Sequence, residues 1–103
     1  MRLKPGVKLA DLQPQMVLGL VIADGAYREI AVEMVVTSAN DSRHRADSLH
    51  YRGLAVDLRT KSVPRAQLDA LVATIHARLG AEFDVILEYR GGEQEHLHVE
   101  FDP

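Results

Sequence analysis

Two histidines and an aspartate, His50, Asp57 and His98, are the residues of this 103-residue chain best suited to chemistry. His50 and Asp57 belong to one run, Ser48-Leu-His-Tyr-Arg-Gly-Leu-Ala-Val-Asp57, and His98 closes a second, Glu95-His96-Leu97-His98. Imidazole nitrogen and carboxylate oxygen both bind a borderline-soft cation such as zinc, at about 2.0–2.2 Å. Three protein ligands leave a tetrahedral ion one open position, the arrangement of a catalytic rather than a structural centre. The chain has no cysteine, so thiolate metal sites and disulfides are excluded. By residue type and spacing alone, a shared metal and a metal-free hydrogen-bonded cluster of the same side chains both stay open.

The elements that must position these groups can be read from periodicity. In Leu54 to Arg59, Leu54, Val56 and Leu58 face one way while Ala55, Asp57 and Arg59 face the other. One face enters a core and the other presents Asp57 beside the small Ala55. Leu97 to Phe101 is a further strand that carries His98, and Phe83 to Tyr89 precedes it across a Gly91-Gly92 turn. Ile30 to Thr37, rich in β-branched residues, reads as a buried strand. Ser38 to Tyr51 then reads as a long polar loop pinned by Leu49 and Tyr51 on either side of His50.

Two helices complete the pattern. Pro14 suits a first helical turn, and Met16, Leu20 and Ala23 recur at helical spacing, giving a helix from about Pro14 to Gly25. Leu68, Leu71, Val72, Ile75 and Leu79 stripe a second, from about Pro64 to Leu79, ended by Gly80. The expected fold is α+β, one domain over residues 1–103, with an antiparallel sheet of about four strands and both helices on one face.

Composition narrows the partners. Hydrophobic residues make up 47% and charged residues 26% of the chain, enough for one packed core. A formal charge of −3 gives no electrostatic footprint for nucleic acid. The apolar stretch from Met16 to Ala23 is too short to insert into a membrane and is not placed as a signal peptide. The expectation is therefore synthesis in the cytoplasm without an export signal, as a monomer.

The run from Ser48 to Asp57 resembles the Ser-x-His-x-x-Gly-x-Ala-x-Asp motif of zinc D-alanyl-D-alanine peptidases, and Glu95-x-x-His98 resembles the same family's C-terminal motif. That family includes D-Ala-D-Ala carboxypeptidases, vancomycin-resistance dipeptidases and phage endolysins. The segment from Asp47 to Asp57 also resembles the zinc-site segment of Hedgehog signalling domains, which share the fold. The similarity runs from about Val35 to Phe101.

The resemblance implies one zinc per chain held by His50, Asp57 and His98, with Glu95 as catalytic base and His96 placed to bond substrate or oxyanion. Glu88 reads first as a solvated strand residue and second as an alternative base. Ser48 is expected to brace the site. Family members carry a carboxylate-binding arginine soon after the first strand, but here Thr37-Ser38 is followed by Ala39-Asn40-Asp41. Arg43 or Arg45 could reach the cleft, each open also to reading as a solvated loop charge, Arg45 the more so, and His44 is expected to line it. The implied activity is hydrolysis of peptide bonds in peptidoglycan stem peptides, as a carboxypeptidase or an endolysin-type endopeptidase. It would be exerted at the cell wall after phage-type release. The alternative is a non-catalytic Hedgehog-like zinc module that binds a protein or glycan partner.

Overall fold

Alternating apolar and polar residues in the second half of the chain call for a sheet with one dry face and one wet face. The computed structural model, which describes residues 1–39 and 53–103, has that sheet. Its strands are β1 (Arg2–Leu3), β2 (Val35–Ser38), β3 (Ala55–Arg59), β4 (Phe83–Glu88) and β5 (His96–Phe101), with helices α1 (Pro14–Glu29) and α2 (Arg65–Leu79). The class is α+β with two helices, as the sequence implies. The sheet itself departs from expectation. It has five strands in the order β1-β2-β3-β5-β4 and is mixed, because β1 runs parallel to β2 while the other pairs are antiparallel. β1 has only two residues, both exposed, so no hydrophobic alternation marks it. Backbone bonds secure it instead: the Arg2 N–H donates to the Met34 carbonyl at 2.8 Å, and the Lys4 N–H to the Val36 carbonyl at 2.9 Å.

Val36, Val56, Leu58, Leu97 and Val99 supply the dry face, packed with Met16, Leu20 and Tyr27 of α1 and with Leu68, Leu71 and Ile75 of α2. Each such buried side chain contributes about 1.5–3 kcal/mol by leaving water. The helices touch each other, α1 reaching β5 and α2 reaching β4, so they cover one side of the sheet. The polar residues of β3 and β5 are thereby turned to the opposite side.

Helix α1 continues past Gly25 because Ala26 and Tyr27 are both buried in the core. The Tyr27 hydroxyl also donates to the Arg59 carbonyl at 2.8 Å, tying α1 to β3. The β-branched run from Ile30 therefore begins as the end of a helix: Ala31, at φ 57°, donates its N–H to the Arg28 carbonyl. The strand starts only at Val35.

Gly53 fixes the entry to β3. Its φ is +71°, and a Cβ there would lie 2.1 Å from the Asp11 carbonyl oxygen. Its own carbonyl accepts the Gln13 N–H at 3.0 Å. Gly53→Ala must move that backbone as well as strain its own, and is expected to cost about 2 kcal/mol. A chemical-denaturation midpoint checks this; an unchanged midpoint would mean that residues 11–13 yield freely.

Candidate metal centre

Antiparallel pairing sets Asp57 of β3 directly opposite His98 of β5. Both belong to the wet face, because Leu58 and Leu97, their chain neighbours, are buried in the core. His98 Nδ1 lies 2.9 Å from Asp57 Oδ1. The Thr37 hydroxyl donates to the Asp57 carbonyl at 3.3 Å, holding β2 against the same point of β3. The other ring nitrogen of His98, Nε2, is 3.2 Å from Glu100 Oε1. Both ring nitrogens of His98 thus face carboxylates, and if a cation were held on the Asp57 side, Glu100 would orient the ring from behind.

Glu88 completes the group from β4. It pairs with His96 across the strands, its Oε1 lying 2.8 Å from His96 Nε2 and 4.0 Å from His98 Nδ1. Asp57, Glu88 and His98 each offer a ligand atom within 4.8 Å of the others, so together they could hold a metal ion. The donor set, two carboxylates and an imidazole, fits a divalent cation. Burial pulls the pKa of His98 down, but the carboxylates of Asp57, Glu100 and Glu88 outweigh it and hold the ring above its ordinary value. A metal ion would satisfy the same excess of negative charge.

His96 stands beside this group. Its Nδ1 is 2.9 Å from the Gln94 carbonyl, and its Nε2 is 2.8 Å from Glu88 Oε1 and 3.6 Å from Asp57 Oδ1. A carbonyl only accepts, so Nδ1 carries the hydrogen.

Glu95 is differently occupied. It lies just before β5, in the loop, which is the one position from which it could turn toward the wet face. Its side chain instead is 1% exposed and bonded at both oxygens. The Thr60 hydroxyl donates to Oε1, the Gly91 N–H donates to Oε2 at 2.8 Å, and Arg65 Nη1 lies 2.9 Å from each oxygen. The Thr60 bond first, then Gly91 and Arg65, prevail over burial and hold its carboxyl down at about 2. An anion so well satisfied is a poor proton acceptor near neutral pH.

The structure thus brings together Asp57, His98 and His96, and sets Glu95 in a clamp. His50, Ser48, Arg43, Arg45 and His44 lie outside the described residues. Sequence reasoning missed Glu100 and underrated Glu88. The signal was the period of two: His96, His98 and Glu100 share one face of β5, and Asp84, Ile86 and Glu88 one face of β4. Asp84, Glu100 and Asp102 form another acidic group within 4.8 Å, largely exposed. Comparison with known protein families and with curated proteins found no match for this chain.

Proposed function

We propose that this chain is a zinc-dependent peptidase acting on peptidoglycan stem peptides, with His50, Asp57 and His98 as metal ligands. The observation that supports it most is the cross-strand pair: His98 Nδ1 and Asp57 Oδ1 at 2.9 Å, with Glu100 behind the imidazole. Zinc, when bound, polarises a scissile carbonyl and brings the pKa of water down to about 7. The residues around it supply the rest. Glu88 is the carboxylate best placed to move a proton, and we assign it the role of general base that the motif suggests for Glu95. Its Oε1 takes a proton from the attacking water and shares it with His96 Nε2, 2.8 Å away, for return to the leaving amine. Thr60, Arg65 and Gly91 keep Glu95 ionised and still, so it secures the start of β5 and the orientation of His96 and His98.

The test is digestion of purified cell walls by the zinc-loaded protein, with products read by mass spectrometry, which reports activity and names the bond. One zinc per chain, removable by chelator, is expected. Glu88→Gln should retain zinc and lose about 10²–10⁴-fold in kcat. Loss of activity in folded, zinc-bound Glu95→Gln with Glu88→Gln active would return the base to Glu95. Zinc binding with intact walls and intact D-Ala-D-Ala peptides would favour a non-catalytic Hedgehog-like module. A protein that stays metal-free in excess zinc would leave only the hydrogen-bonded cluster.

A further inference from the structure

Helix α1 is apolar on both of its long sides. Met16, Gly19, Leu20, Ala23, Ala26 and Tyr27 form the side buried in the core. On the outer side Val17, Leu18 and Val21 are 50%, 58% and 60% exposed, and no charged residue occurs between Asp11 and Asp24. Helix α2, on the same side of the sheet, has the ordinary pattern, with Arg65, Gln67, Asp69, His76 and Arg78 at exposed positions. A surface helix carries polar residues away from the core, and a helix apolar all round is a buried one. Among the described residues nothing covers the outer side of α1.

The spacing of that side shows what fits it. Pro14, Leu18, Val21 and Gly25 follow one another at intervals of four, three and four residues, the repeat of a seam that packs on a second helix. Laid antiparallel about a two-fold axis between Leu18 and Val21, the seam matches itself. Leu18 of each copy meets Val21 of the other, and Val17 lies beside Ile22. Pro14 meets Gly25, where a Cβ would find no atom within 4 Å. The same register carries the exposed Arg28 toward the exposed Asp11 just before the helix, so opposite charges close both ends. Parallel pairing would set Arg28 against Arg28, and antiparallel pairing also opposes the two helix dipoles.

We propose that the outer side of α1 is a homodimer interface, in which two copies of this chain pair their α1 helices antiparallel across a two-fold axis. The dimer departs from the monomer expected from the sequence. The 16 residues of α1 span about 24 Å. A single helix pair of that length lies at the low end of specific interfaces, about 1,200 Å² in total. The dissociation constant is accordingly expected at about 10–100 µM. The wet face lies on the other side of the sheet from α1, so the dimer leaves both candidate metal centres open and facing away from each other. The inference stands whether or not that centre is catalytic.

Sedimentation equilibrium of the full chain with chelator present, over about 1 µM to 1 mM, is expected to show the mass rising from 11.4 kDa toward twice that value. Leu18→Lys and Val21→Glu, both at exposed positions, should each weaken association at least about 100-fold, because two-fold symmetry buries the new charge against an apolar partner twice. Neither should lower the melting temperature of the monomer. An equimolar mixture of the two variants should associate to within about 10-fold of the wild type, since the new lysine of one copy faces the new glutamate of the other. A mass of 11.4 kDa throughout, a dimer that survives Val21→Glu, or a mixture no tighter than either variant alone would overturn the interface. So would a dimer seen only with added zinc, which would join copies through the wet face. A monomer that melts earlier as Val21→Glu would also overturn it, and would assign the outer side of α1 to cover from within the chain.

Discussion

Alanine at His98 is expected to abolish high-affinity zinc uptake while the metal-free protein stays folded. The side chain belongs to the wet face of β5, so its removal opens no cavity among the core residues Leu97 and Val99. The strand keeps its pairing with both β3 and β4 through the backbone. The cost in the metal-free state is electrostatic: Asp57, Glu88 and Glu100 lose the imidazole that stands among them. That cost should be about 1 kcal/mol, or about 4–8 °C in melting temperature for a domain of this size. Zinc affinity, by contrast, should fall well beyond the roughly 10–100-fold expected for losing a carboxylate that only orients a ligand. Glu100→Gln is the internal control, because Glu100 contacts His98 Nε2 rather than the nitrogen facing Asp57. It should fall within that smaller range. Competition with a chromophoric chelator measures both variants, and native affinity in His98→Ala would place any zinc elsewhere in the chain.

The part of this site that was legible in the sequence is the part set by local period. Alternation in Leu54 to Arg59 and in Leu97 to Phe101 puts Asp57 and His98 on the wet face, and the structure has both there. What alternation cannot supply is register. Glu88 meets His96 because the β4–β5 connection turns through Tyr89, at φ 54°, and Gly91, at φ 79°. A slip of one residue would have sent Glu88 to the dry face. β1 was invisible because two exposed residues carry no pattern, and its partner is chosen by backbone bonds to Met34 and Val36. The start of β2 was misplaced because β propensity at Ile30 to Val32 yielded to the burial of Tyr27 one turn earlier. The destination of Glu95 depended on Arg65 and Thr60, which lie 30 and 35 residues away. Local spacing could put Glu95 before the strand, but it held no information on which way the carboxylate would turn.

That turn makes Glu95 a sensitive polar position in the fold. Glu95→Ala is expected to destabilise the protein by about 3 kcal/mol, since three donor groups lose a buried charged acceptor and a hydrogen bond to such a group is worth about 1.5–3 kcal/mol before rearrangement. The Thr60 hydroxyl is left in a buried site, whereas Arg65, about half-exposed, can turn to water and recover part of the loss. Glu95→Gln should be milder, because the amide oxygen can still accept from the Gly91 N–H while its NH2 group donates to the Thr60 hydroxyl. The same clamp gives the wild-type protein a defined acid response. The carboxyl is held at about 2 in the folded chain against an ordinary value of 4.5, so the proton binds the unfolded chain more readily. Its contribution is therefore complete above pH 4.5 and is lost as the pH falls from there toward 2. Arg65→Ala leaves the Thr60 and Gly91 bonds in place, so it should remove only part of this dependence. Denaturant midpoints measured for the wild type and Glu95→Gln across that interval check the prediction. The wild type should lose stability more steeply than the variant as acid is added, and parallel curves would show that the carboxylate is not ionised in the clamp.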